Sequence, residues 1–137
     1  MNVENAVAPN REQIAQLGEQ GEDQPICMVN LLKFKAKAEY ADGRVTELTG
    51  REAYGLYGVE VVEHLKKVGA EIVFSSVVTG LFLGEVEDLW DSVAIAKYPS
   101  RKAMLTMLMD PDYRKSEEHR SAGLAGQLNI ETVAGAA

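Results

Sequence analysis

The chain has 137 residues, 46% of them hydrophobic and 26% charged, which suits one soluble domain with a single real core. Its net charge is −7, from 14 basic and 21 acidic residues; that argues against nucleic acid, whose phosphates need a basic stripe, and against an anionic membrane surface. No apolar run approaches the ~20 residues of a membrane span, the N-terminus MNVENAVAPNREQ has neither the basic start nor the apolar core of a signal peptide, and the single cysteine, Cys27, leaves no internal disulfide, so a cytoplasmic location is expected.

Residues 1–25 are polar and contain Pro9, Gly18, Gly21 and Pro25. Within them residues 10–20 predict a helix, with Asn10 as N-cap, Gln13 at the capping-box position, and Ile14 and Leu17 as a thin apolar stripe. This segment reads as an arm or accessory helix outside the main domain, residues 26–133. Residues 26–35, ICMVNLLKFK, read as a strand. Ile26, Met28, Asn30, Leu32 and Phe34 share one face; Cys27, Val29, Leu31, Lys33 and Lys35 share the other. Both faces are largely apolar, so both need cover. Residues 36–48 form a loop or short hairpin turning at Asp42-Gly43. Thr49 and Glu52 match a capping box. The helix that follows runs to about Val68, with Tyr54, Tyr57, Val61, Leu65 and Val68 at helical spacing and Gly69 closing it.

Residues 70–83, AEIVFSSVVTGLFL, are β-branched and aromatic and predict a long strand, bulged near Gly80. An acidic turn leads to a partner strand over residues 91–98, ended by Pro99. Ser100 caps the next helix, which packs through Met104, Met107 and Leu108. Asp110-Pro111 stops it and starts another, with Tyr113, Glu117 and Arg120 on one face. A small-residue turn, Ser121-Ala122-Gly123-Leu124, is expected next. The last strand covers residues 127–133, and residues 134–137 are a frayed tail. Strand, helix, strand, strand, helix, strand is the split βαβ, ferredoxin-like α+β pattern, a four-stranded antiparallel sheet with its helices on one face. The opposite, apolar face predicts a homodimer with two sheets facing each other.

The segment WDSVAIAKYPSRKAMLTMLMDPDY and the downstream HRSAGL resemble the domain-of-unknown-function family 1330, of the dimeric α+β barrel superfamily. The matching motifs are Tyr98-Pro99-Ser100, Asp110-Pro111-Asp112-Tyr113 and His119-Arg120, within a resemblance covering about residues 26–133. The arm and the insertion at residues 36–48 depart from shorter members. The resemblance implies a homodimer with a cleft between each sheet and its helices. The superfamily includes cofactor-independent monooxygenases, isomerases, cyclases and haem enzymes; the family itself carries no established activity, and fold analogy does not supply one.

The residues that could do chemistry each have a bland counterpart. In the pair His119-Arg120, the imidazole could move a proton and the guanidinium could grip a carboxylate or enolate. Equally, the pair could belong to an ion cluster with Glu117 and Glu118 that ties down a turn. Asn30, an amide among apolar neighbours, could face a ligand oxygen or bond a loop backbone. Tyr98, alternating with Ala96 and Ala94, could line a cavity or be core. Tyr54, Tyr57 and Tyr113 share that ambiguity. Trp90 closes the core or the dimer seam, and Asp91 caps a turn. Glu85, Glu87, Asp88 and Asp91 do not have the spacing of a calcium loop. His64 is expected on the surface, and Cys27 in the core. With two histidines and one cysteine, no metal or cofactor is expected. The resulting expectation is a small homodimer holding a small apolar or carboxylate ligand: a cofactor-independent enzyme on a small organic acid or ketone, isomerase- or monooxygenase-like, or a non-catalytic ligand-binding or stress-related dimer.

Overall fold

Three end-signals in the sequence set the helices. Asn10 and Gln13 exchange the two bonds of a capping box and open α1 (Arg11–Gly18). Thr49 and Glu52 do the same for α2 (Gly50–Lys67), which Gly69 closes at a positive φ of 74°. Asp110 ends α3 (Arg101–Met109) and caps α4 (Pro111–Gly123), whose first residue is a proline with no amide hydrogen to lose. The computed structural model describes residues 3–19 and 23–135. The expected helix end at Gln20, and Ala136 and Ala137 of the expected tail, lie outside the described residues.

The strands are β1 (Ile26–Phe34), β2 (Glu71–Val77), β3 (Ser92–Tyr98) and β4 (Leu124–Thr132). They form one sheet in the order β2-β3-β1-β4, every neighbouring pair antiparallel, the ferredoxin-like arrangement expected from the element order. The core lies between one sheet face and the helices. Ile26, Met28, Ala96 and Tyr98 from the sheet pack with Tyr57, Val61 and Leu65 of α2, Met104 and Met107 of α3, and Tyr113 of α4. A smaller cluster joins Ala38 and Tyr40 of the loop at residues 36–48 to Ala53 of α2 and Ala122 of α4. The two long helices meet at glycines: a Cβ on Gly123 would lie 2.3 Å from the Gly50 carbonyl oxygen, so only glycine fits there.

The register puts Val29, Leu31, Val93, Ile95, Leu128, Ile130 and Phe74 together on the face away from the helices. Phe74 there is 51% exposed. Among the described residues no helix is long and apolar enough to cross a membrane.

Three sequence expectations need correction. The second strand ends at Val77, not Leu83, and its irregularity lies between Ile72 and Phe74, not at Gly80. Strand propensity continues through residues 78–83, but β3 begins opposite Val77, and past that point a single backbone bond, Val78 N–H to the Asp91 carbonyl (3.0 Å), links the two segments. Ser121, Ala122 and Gly123 belong to α4, and β4 starts directly at Leu124. The small residues let α4 press against α2 where a turn was expected. His64 is buried at 8% exposure, not on the surface.

Candidate functional site

α4 makes a turn every 3.6 residues, so consecutive side chains point about 100° apart. His119 and Arg120 therefore face different surroundings. Arg120 points toward the sheet. Its Nη1 donates to the Val7 carbonyl at 2.7 Å, and its Nη2 donates to the Gln127 side-chain oxygen. Gln127 Nε2 passes the chain on to Asn30 Oδ1 at 2.6 Å, and Asn129 Nδ2 donates to the same oxygen. Asn30 and Asn129 are direct partners in the β1–β4 register, which is why their amides meet. Both amide hydrogens of Asn30 go to strand carbonyls, Met28 and Ala94, each at 3.2 Å.

Around this chain stands a group of tyrosines. Tyr57 and Tyr113 share a hydroxyl–hydroxyl bond of 2.9 Å, and the Tyr54 ring lies 5.3 Å from that of Tyr57. Among the described residues, the Tyr54 and Tyr98 hydroxyls have no hydrogen-bond partner. Burial pushes Tyr54 up to about 12 and holds Tyr57, Tyr98 and Tyr113 above the usual phenol value. The Arg120 charge opposes that shift at Tyr54, Tyr57 and Tyr113, which shows that its field reaches all three. At neutral pH the phenols are uncharged donors. Among the described residues Arg120 has no carboxylate within ion-pair distance.

His119 faces the loop at residues 36–48. Its Nδ1 meets the Tyr40 hydroxyl at 2.7 Å, while Nε2 faces Glu60 at 3.5 Å and Glu118 at 3.7 Å. Two carboxylates on one side favour the ring proton on Nε2, so Nδ1 accepts from the phenol. Arg44 lies 4.3 Å over the Tyr40 ring and pairs with Asp42 and Glu118. Next along α2 and α4, Ser116 Oγ donates to Glu60 at 2.8 Å, and His64 Nε2 lies 2.8 Å from the same Oγ. Ser116 has spent its only proton, so His64 donates through Nε2. Its buried Nδ1 has no partner.

Of the residues singled out in the sequence, Arg120, Asn30, Tyr54, Tyr98 and Tyr113 converge between the sheet and the helices. His119 stands outside that group. Trp90 lies in the connection before β3, at the strand end opposite Tyr98. Asp91 pins that connection: its carboxylate accepts from the Phe34 amide at 2.8 Å and pairs with Lys33 at 3.3 Å, and Asp88 adds a second ion pair to Lys33. Gln127, which links Arg120 to Asn30, went unnoticed in the sequence, as did Asn129. Their signal was the alternation in QLNIET, which puts both amides on the face of Asn30 once β4 is paired with β1. Two surface hollows, of about 570 Å³ at residues 81–87 and about 560 Å³ between Lys67, Leu105 and Met109, are separate from this cluster. Among the described residues no group of three His, Cys, Asp or Glu side chains is placed to hold a metal.

Fold and cluster together define a ferredoxin-like α+β protein with a tyrosine-lined polar chain between its sheet and its long helices. No family model and no curated protein matches the chain. Two solved structures match it nearly end to end. The RPA0582 protein of Rhodopseudomonas palustris, of unknown function, is 31% identical, with a TM-score of 0.84, over 94% of this chain and 96% of that one. Its methylated form is 34% identical, with a TM-score of 0.85, over 93% of each. The chain belongs to the same family as RPA0582. A dimeric ferredoxin-like protein of unknown function from Bacteroides fragilis is far more distant, at 7% identity and a TM-score of 0.45, and carries no argument here.

Proposed function

We propose that the protein is a homodimer that binds a small organic acid between its sheet and α2 and α4, with the carboxylate on Arg120. The carrying observation is the half-buried guanidinium, bonded among the described residues only to neutral oxygens, those of Val7 and Gln127. A cation taken partly out of water gains most from an anion, and a carboxylate matches its fork in two bonds. Tyr54 supplies a neutral hydroxyl donor beside it, with Tyr98 farther along the same group of tyrosines. Small side chains leave room: Ala94 faces the helices yet is half-exposed, and Asn129 is exposed, so this row of the sheet opens to solvent. Asn30 serves by holding Gln127 and Asn129 in place.

The same reading includes the dimer, supported by the apolar sheet face opposite the helices, and membership of the domain-of-unknown-function family 1330, supported by the Tyr98-Pro99-Ser100 step and the Asp110-Pro111 helix break. It includes a reducing cytoplasm, on the strength of one cysteine. Binding is favoured over turnover. The acid–base candidate, His119, points about 100° around α4 from Arg120 and is bonded to Tyr40, and the phenols beside Arg120 are held above their usual range.

Native mass spectrometry of the purified protein tests this. The expected result is a dimer carrying extra mass that the Arg120→Gln variant loses. A bare monomer, or extra mass retained in that variant, overturns the reading.

A further inference from the structure

The N-terminal arm touches the site from outside β4. Residues 3–9 include no buried residue. The arm crosses β4, the edge strand, through one bridge: the Ala6 amide donates to the Gln127 carbonyl at 3.3 Å. Next to it, the Val7 carbonyl takes an Arg120 hydrogen at 2.7 Å. Asn5 lies over Gly126 so closely that a Cβ there would come within 2.6 Å of the Asn5 side chain. Gly126 has no positive φ, so its lack of a side chain serves the arm and not the turn of the backbone.

These three attachments have a common centre. Ala6 bonds the backbone of Gln127, Gln127 and Val7 bond the same guanidinium, and Gly126 is the neighbour of Gln127. A segment held by so few bonds opens at little cost. Val7 presents a carbonyl oxygen where a carboxylate oxygen would approach. We infer that residues 3–9 are a strap over the Arg120 end of the site, and that a bound carboxylate displaces it by taking the guanidinium hydrogen now given to Val7. This rests on the organic-acid reading above, and adds that the free protein occupies its own anion site. Apparent affinity then equals intrinsic affinity multiplied by the fraction of molecules with the strap open.

Two variants open the strap without touching Arg120. Gly126→Ala drives Asn5 off the strand. Ala6→Pro removes the amide that makes the bridge, in an exposed segment where folding is not at stake. Benzoate serves as the probe carboxylate, with neutral benzamide as control, and hydrogen exchange over residues 3–9 reports the strap. The expected result is faster exchange in both variants and tighter benzoate binding, about tenfold if the strap is shut nine times in ten, with no gain for benzamide. Equal benzoate affinity in wild type and in both faster-exchanging variants overturns the strap and leaves the organic-acid reading standing. Weaker affinity in them overturns it too, making the arm part of the binding surface. Benzoate binding that survives Arg120→Gln unchanged, or that is absent from every form, overturns the organic-acid reading, and the strap falls with it.

Discussion

His119 and Arg120 are neighbours in the chain and belong to different parts of the molecule. On the His119 side the polar groups are paired with one another: Arg44 with Asp42 and Glu118, the imidazole with Tyr40 and two carboxylates. On the Arg120 side a cation is held by neutral oxygens among uncharged phenols. The first is a clamp that fastens the loop at residues 36–48 to the helices. The second is, on the reading proposed above, the place where a ligand carboxylate would bind. A sequence motif of two polar residues in a row does not make one site, because the ~100° between consecutive helical residues is enough to separate them.

The widest break in this comparison is at alkaline pH. All five tyrosines have folded-state values above the usual phenol range, chiefly through burial, and four of them are on the Arg120 side. A raised folded pKa means that the unfolded chain ionises first. The stabilisation is therefore complete below pH about 10 and is lost as pH rises through the folded values, about 12 for Tyr54. Circular dichroism and phenolate absorbance should change together in that window; phenolate formation at pH 10 in a still-folded protein would contradict the burial of the cluster. Next in size is Gly123→Ala. With a Cβ 2.3 Å from the Gly50 oxygen, it should cost about 3 kcal/mol in denaturant unfolding and loosen both sides at once.

The two sides separate with Arg120→Gln and His119→Ala. Removing the guanidinium should weaken benzoate binding roughly thirtyfold, about 2 kcal/mol, with little change in melting temperature. Removing the imidazole should leave benzoate binding unchanged and cost about 1 kcal/mol of stability through the lost Tyr40 bond. The reverse pattern, measured by titration and thermal melts, would exchange the two roles. The smallest effect is Thr49→Ala, which removes one cap of α2 for about 1 kcal/mol or less and should leave binding untouched.

The element order was legible because caps and apolar periodicity are local. Asn10, Thr49, Ser100 and Asp110 each announce a helix within four residues of chain. What was illegible depended on partners far away. Residues 78–83 have the composition of a strand and no strand beside them. His64 looked like a surface residue near a helix end, but Ser116, 52 positions away, buries it. Of the site, the tyrosines and Arg120 stood out by residue type. Gln127 and Asn129 did not, since their meaning depends on which strand lies next to β4.

β2 is an edge strand, and its run Ile72-Val73-Phe74 is 41%, 47% and 51% exposed. An open edge with that composition is a template for pairing with another chain of any kind. At the opposite edge the arm covers part of β4. A lone protomer would therefore be prone to precipitate from the β2 side, and the net charge of −7 is the main force holding such copies apart. Solubility should fall steeply as the pH approaches the isoelectric point near 4.8, and added salt should speed the loss by screening that charge.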